Sequence, residues 1–280
     1  MSFLQKLVAS RWIAGTTIEE EIKVVKKLKE KNLNSIINYL GEDINNAEKA
    51  KASLDIYLEC IKDIKENNLN SQIAIKASQL GLFVNDKVLK KNYEQIIKKA
   101  KIEGIFVWLD MERYDTVDKT ISLYKKYISY GNTGICIQSY LKRSFKDVKI
   151  LLELGAAIRI VKGAYTESST IAHNRDDATK NYIKILNYTF KKSENFTVAT
   201  HDLSIIKKSV ELSKKYKKEP EYAMLYGIRN NIAFKLAKKH KMNLYVPFGK
   251  DWFKYSYRRL REFSNLKLVL HSLLENQKLD

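Results

Sequence analysis

Residues that break or brace a fold are scarce in this chain. Its 280 residues include only two prolines, Pro220 and Pro247, and ten glycines. No Gly/Ser/Pro-rich stretch offers a linker, so the economical reading is one domain over 1–280, with an N-terminal helical extension over 1–33 and the main body over 34–280. Cys60 and Cys136 are the only cysteines. Neither belongs to a CxxC pair, which points to a reducing compartment, although two cysteines leave a single bridge open. His173, His201, His240 and His271 show no metal-ligand spacing, so no metal site is expected. No apolar run approaches the roughly 20 residues that span a bilayer. The opening stretch to Ile13 is too short and broken for a signal peptide. A cytoplasmic location follows, with contact at a membrane surface left open. No G-x-G-x-x-G occurs, so a Rossmann nucleotide domain has no support.

Arginine is also scarce, at nine of the 51 basic residues, and lysine supplies most of the +19 net charge. The lysines gather in helix-like segments such as 23–31, 98–101 and 214–218, where acidic residues accompany them. They read as solvated outer faces, which disfavours specific nucleic-acid binding and leaves some attraction to anionic lipid. Three of the nine arginines fall together at Arg258, Arg259 and Arg261. If that segment is helical, Tyr255, Arg258, Arg259 and Glu262 share one face at i, i+3, i+4 and i+7. The guanidinium fork matches a carboxylate or phosphate, so this face fits capture of a small anion, and a solvated basic helix is the plain alternative.

Eight short apolar runs, at 34–40, 72–77, 105–110, 134–139, 156–161, 196–200, 221–225 and 243–246, read as strands. Amphipathic segments between them, including 45–66, 85–101, 115–129 and 142–154, read as helices. This alternation predicts an α/β fold closed as a (β/α)8 TIM-type barrel, with an open doubly wound sheet as runner-up. Thr17-Ile-Glu-Glu20 is a capping-box pattern that starts an extra helix before the first strand. Lys76, Asp110, Gln138, Lys162, His201 and Tyr245 fall at or just past the C-terminal ends of their runs, where barrel enzymes collect their catalytic groups.

One strand is unusual. Arg159-Ile-Val-Lys-Gly-Ala-Tyr165 places an arginine within an apolar run, which is unfavourable unless the charge is paired or used. This motif and the C-terminal YVPFG…W..Y..RRLRE segment resemble proline dehydrogenase, an FAD-dependent barrel family. The resemblance covers nearly the whole chain, through Gly15-Thr-Thr-Ile-Glu-Glu20, Tyr39-Leu-Gly-Glu42, Ile75-Lys-Ala-Ser-Gln-Leu-Gly81, Asp110-Met-Glu112, Gln138-Ser-Tyr140, Ala199-Thr-His-Asp202 and Met224-Leu-Tyr-Gly227 in order.

The resemblance implies oxidation of L-proline to Δ1-pyrroline-5-carboxylate by hydride transfer to FAD, with a quinone or other acceptor reoxidising the flavin. It implies that Lys76, Arg258 and Arg259 hold the proline carboxylate. Tyr165, Leu225, Tyr245 and Tyr255 would wall the ring pocket, and Asp110 would orient the polar network near the substrate. Arg159 would approach flavin N5, Gln138 would contact the pyrimidine edge, and Lys162, Gly163, Ala164, Thr200, His201 and Glu262 would complete the cofactor site. The final helix would lie over the barrel mouth. The long appended modules of fused relatives are missing, so a monofunctional enzyme is expected. Two rivals are a flavin barrel acting on another cyclic or N-substituted amino acid, and a non-catalytic basic barrel that binds polyanions or membrane. Cys136, within a strand, reads as core filling.

Overall fold

The computed structural model describes residues 12–253, 255 and 256. Among them, eight strands close into a barrel in sequence order: β1 (Asn34–Tyr39), β2 (Ser71–Lys76), β3 (Val107–Asp110), β4 (Thr133–Gln138), β5 (Ala157–Val161), β6 (Phe196–Ala199), β7 (Glu221–Leu225) and β8 (Met242–Phe248). Helix α1 (Ile18–Glu30) precedes β1. After β1 to β7 in turn come α2 (Ala47–Glu66), α3 (Asp86–Ile102), α4 (Val117–Tyr127), α5 (Ser144–Glu153), α6 (Arg175–Lys192), α7 (Leu203–Tyr216) and α8 (Asn230–Ala237). The (β/α)8 barrel expected from the alternation is the observed fold. The chain forms two compact units, one carrying β1, β2 and β8 and the other spanning Trp108–Ala223.

In the first unit, β1 pairs in parallel with β2 on one side and with β8 on the other. Helix α2 buries Ala50, Leu54, Tyr57, Ile61 and Ile64, a stripe at helical spacing, and Asn46 caps it by accepting from the Glu48 and Lys49 amides. Its lysines face outward; Lys51, for example, pairs with Asp55 in solvent. Strand β8 runs two residues beyond its expected end, through Pro247. The proline carbonyl accepts from the Ala14 amide, the Phe248 carbonyl accepts from Leu40, and the pairing with β1 continues through Pro247 and Phe248. Tyr245 therefore lies mid-strand rather than at the strand end.

In the second unit, β4, β5, β6 and β7 pair in parallel. Every residue of β4 is buried, as expected where helices and interior cover both faces of a strand. The helix expected over 115–129 divides into a 3-10 turn (Tyr114–Thr116), α4, and a second 3-10 turn (Ile128–Tyr130). Among the described residues no helix is long and apolar enough to cross a membrane.

The capping box at α1 is present, with the Thr17 side chain accepting from the Glu20 amide. The next residue departs from the pattern. Glu21 lies on the apolar stripe with Val25 and Leu28 and is fully buried. Neither of its carboxyl oxygens has a hydrogen-bond partner among the described residues, and burial pushes its pKa well above the usual carboxylate value. The folded protein therefore keeps a proton there that the unfolded chain releases above about pH 4.5. This contribution to stability is complete below that pH and is lost as the pH rises toward the folded-state pKa. Glu21→Gln is expected to melt higher than the parent chain at pH 8, by a margin that shrinks at pH 5. A margin independent of pH in thermal melts would contradict this.

Candidate active site

In the second unit, the site begins with strand register. Cys136 on β4 lies beside Arg159 on β5, and Thr197 on β6 flanks Arg159 on its other side. Paired residues of parallel strands point to the same face, so period-two alternation adds Gln138 next to Cys136, and Asp110 next to Trp108 on β3. The side chains meet accordingly. Arg159, 3% exposed at its side chain, donates from Nη2 to Asp110 Oδ1 in a close ion pair. Its Nε donates to Cys136 Sγ at 2.8 Å, and Cys136 reaches the same Asp110 oxygen at 3.3 Å. The guanidinium carbon stands 5.2 Å from the centre of the Trp108 ring. The charge inside the apolar strand is thus paired, hydrogen-bonded and backed by an aromatic face. Burial pushes the Cys136 thiol pKa far upward against the pull of Arg159, so the group remains S–H. Cys136 is not mere core filling; it is part of this polar cluster.

Gln138 is buried at the end of β4, its Nε2 donating to the carbonyls of Met111 and Glu112 at 2.9 and 2.7 Å. That leaves its Oε1 buried with no partner among the described residues. The ladder between β4 and β5 runs on past both strands, with the Ser139 amide bonded to Val161 and the Tyr140 amide to Lys162. These bonds set the turn at Gly163, whose φ of +114° is one that L side chains rarely adopt. A Cβ there would stand 3.0 Å from Gln138 Oε1 and only 2.1 Å from the Tyr140 ring.

Lys162 and Asp202 form an ion pair at 2.7 Å. Burial works to raise the Asp202 pKa, but hydrogen bonds from Lys162 and Ser204 outweigh it and hold the group at about 2. Asp202 also caps α7. Thr200, buried, accepts from the Asp202 amide, and His201 lies half-buried between them. Ala164 and Tyr165 are half-buried in the loop after β5. Glu167 ties that loop down by accepting from the Tyr114 amide at 2.8 Å.

In the first unit, Lys76 ends β2 and is buried. Its ammonium donates to Asn38 Oδ1 at 3.4 Å, and Asn38 in turn donates to the Ala74 carbonyl. Tyr57 and Gln79 extend this network to the Tyr39 carbonyl. Tyr245 is half-buried on β8 in register with Ile36, two residues before Asn38 and on the same strand face. Tyr255 is buried in an apolar cluster with Trp12, Ile13, Leu40 and Ile228, and the half-buried Leu225 packs against it. Arg258, Arg259, Arg261 and Glu262 lie outside the described residues. A groove of about 460 Å³ lined by residues such as Tyr114, Arg143 and Asp147 shares none of the residues expected at the site.

The sequence matches the proline dehydrogenase family over residues 21–267. The chain belongs to the proline dehydrogenase family. It is 35% identical over 277 residues to proline dehydrogenase 1 of Bacillus subtilis subsp. natto, covering 96% of this chain and 92% of that one. It is 33% identical over 281 residues to the proline dehydrogenase of Deinococcus radiodurans, covering 96% and 90%. The fold is similar to that of proline utilization A from Bdellovibrio bacteriovorus inactivated by N-propargylglycine, with a TM-score of 0.87 at 22% identity. That match covers 98% of this chain, which spans only about a third (34%) of the larger one. As a proline dehydrogenase the chain is an oxidoreductase acting on proline, at the first step of proline catabolism.

Proline dehydrogenases are flavin-dependent, and the residues present fit such a group. The orphaned, buried Gln138 Oε1 is an acceptor suited to a ring N–H of a flavin pyrimidine. The missing side chain at Gly163 lets the Tyr140 ring close against the turn beside Gln138, and Arg159 on β5 and Lys162 just past its end supply positive charge nearby. Cys136, Asn38 and Asp202, with Trp108, Tyr57 and Gln79, belong to these networks without having been assigned to the site from the sequence. Cys136 could have been found, because it alternates with Gln138. Asn38 stood out only as a polar residue inside an apolar run.

Proposed function

We propose that this proline dehydrogenase oxidises L-proline to Δ1-pyrroline-5-carboxylate with FAD, as a single catalytic domain over 1–280. The observation that carries the proposal is the buried, paired Arg159 within β5. FAD, when bound, supplies the two-electron acceptor for the hydride that leaves proline C5. With FAD bound, Arg159 would supply a fixed positive charge to the reduced flavin, and Asp110 and Trp108 keep its guanidinium in place. Gln138 accepts from the pyrimidine edge, while Lys162, Gly163, Ala164, Thr200, His201 and Glu262 hold the remainder. On the substrate side, Lys76, Arg258 and Arg259 grip the carboxylate and so present the opposite ring carbon for reaction. Tyr165, Leu225, Tyr245 and Tyr255 wall the ring and exclude water. Electrons then pass to a quinone or another acceptor. The surplus of lysine is compatible with work beside an anionic membrane surface.

The test is an anaerobic visible spectrum of the purified protein before and after L-proline. A flavin band near about 450 nm that bleaches with proline supports the assignment. A band unchanged by proline would redirect the search to other amines, and no flavin even after adding FAD would leave a non-catalytic barrel. Arg258→Met or Arg259→Met is expected to raise the proline KM about tenfold to a hundredfold, with flavin still bound, since each loses a charge-assisted hydrogen bond to carboxylate. An unchanged KM would remove that arginine from the pocket.

A further inference from the structure

Cys136 holds a position that no assigned role accounts for. Its sulfur accepts from Arg159 Nε at 2.8 Å and its thiol reaches Asp110 Oδ1 at 3.3 Å, while Arg159 and Asp110 also pair directly. Three side chains from β3, β4 and β5 therefore close a triangle. The cysteine and the arginine are almost fully buried, at 3% and 2% residual exposure. We propose that Cys136 is a positioning residue that sets the plane of the Arg159 guanidinium toward the flavin, and through it the reduction potential of the cofactor. This rests on the FAD assignment made above.

A guanidinium that lost the Nε contact would keep its Asp110 pair and the Trp108 face but gain freedom to turn in its own plane. A second contact at Nε, on the same edge of the fork as Nη2, removes that freedom and fixes where the remaining nitrogen, Nη1, points. The thiol suits this task because it accepts and donates at once. A carboxylate in its place would offset the Arg159 charge, and an aliphatic side chain would leave Nε without this partner. Being fully protonated and neutral, the thiol orients the cation without diminishing it.

The experiment compares Cys136→Val with the near-isosteric Cys136→Thr, and with Cys136→Ser, by FAD affinity and by flavin midpoint potential. The potential is poised with mediator dyes rather than with proline. Cys136→Val is expected to lower the affinity for reduced relative to oxidised flavin about tenfold, which lowers the potential by about 30 mV for a two-electron couple. Cys136→Thr or Cys136→Ser should recover at least half of that shift, because a hydroxyl also accepts and donates. A Val variant with the parent potential overturns the inference, as do Val and Thr variants displaced equally, which would mark a packing role. If the Val variant does not fold, the Ser and Thr variants carry the test: a parent-like potential in both supports the inference, and a shift as large as that expected for Val overturns it. The two proposals fail differently. A parent protein that binds flavin but ignores proline would overturn proline as substrate and leave the Cys136 measurement intact, whereas a parent protein that binds no flavin would overturn both.

Discussion

Arg159→Met is expected to abolish most proline-driven flavin reduction, by about a hundredfold or more, because it removes the fixed cation from a water-poor site. The side chain is almost wholly buried, so no neighbouring water can take over its charge. A second consequence follows for stability. Asp110 keeps only 13% of its side chain exposed and would lose its ion-pair partner, at a cost of about 3 kcal/mol. Function and stability can be separated with the double variant Arg159→Met/Asp110→Asn, which should recover much of the lost melting temperature and none of the flavin reduction. Stopped-flow mixing with proline and thermal melts measure the two. Parent-like reduction by the single variant would remove Arg159 from the flavin's surroundings and leave it as a structural ion pair.

The second large effect is expected at Gly163. At φ +114° an alanine carries backbone strain of about 1–3 kcal/mol, and its methyl would enter the Tyr140 ring at 2.1 Å. The Tyr140 backbone is anchored on both sides, its amide bonded to the Lys162 carbonyl and its carbonyl to the His173 amide, so relief must come from rotating the ring or displacing the turn. A displaced turn would carry Lys162 with it and alter the surroundings of Gln138 Oε1. Gly163→Ala should therefore weaken FAD binding about tenfold to a hundredfold, with a lowered melting temperature. Equilibrium dialysis or flavin fluorescence reads the affinity directly. The addition of Tyr140→Ala would relieve the clash and leave the φ strain, so a partial recovery is expected. Unchanged FAD affinity in Gly163→Ala would show that this turn does not border the cofactor.

Much of the architecture was legible because of how a parallel barrel buries its strands. Covered on both faces, they appear as short apolar runs, and the eight runs correspond to the eight strands within a few residues. The last run, 243–246, stopped short of the end of β8, which pairs with β1 through Pro247 and Phe248. At the site, the anomaly of Arg159 was visible as a charge in an apolar strand. Its partners were not, since Asp110 and Cys136 lie 49 and 23 residues away. Glu21 was hidden among the acids of a helix N-terminus, although its alignment with Val25 and Leu28 marked it as buried.

By itself, then, the sequence determined the alternation of strands and helices, the capped start of α1, the family motifs and the residues that bring chemistry to the strand ends. These are properties of neighbours along the chain, set by periodicity, capping and turn preference. Only the tertiary structure decided which of those residues touch. Register between strands put Cys136 beside Arg159, the continued ladder drew Gly163 against Tyr140, and the packing of α1 closed over a carboxyl group with nothing among the described residues to pair it. Each is a contact between segments distant in sequence, and burial then gave it its strength, by removing the water that would otherwise have satisfied or screened those groups.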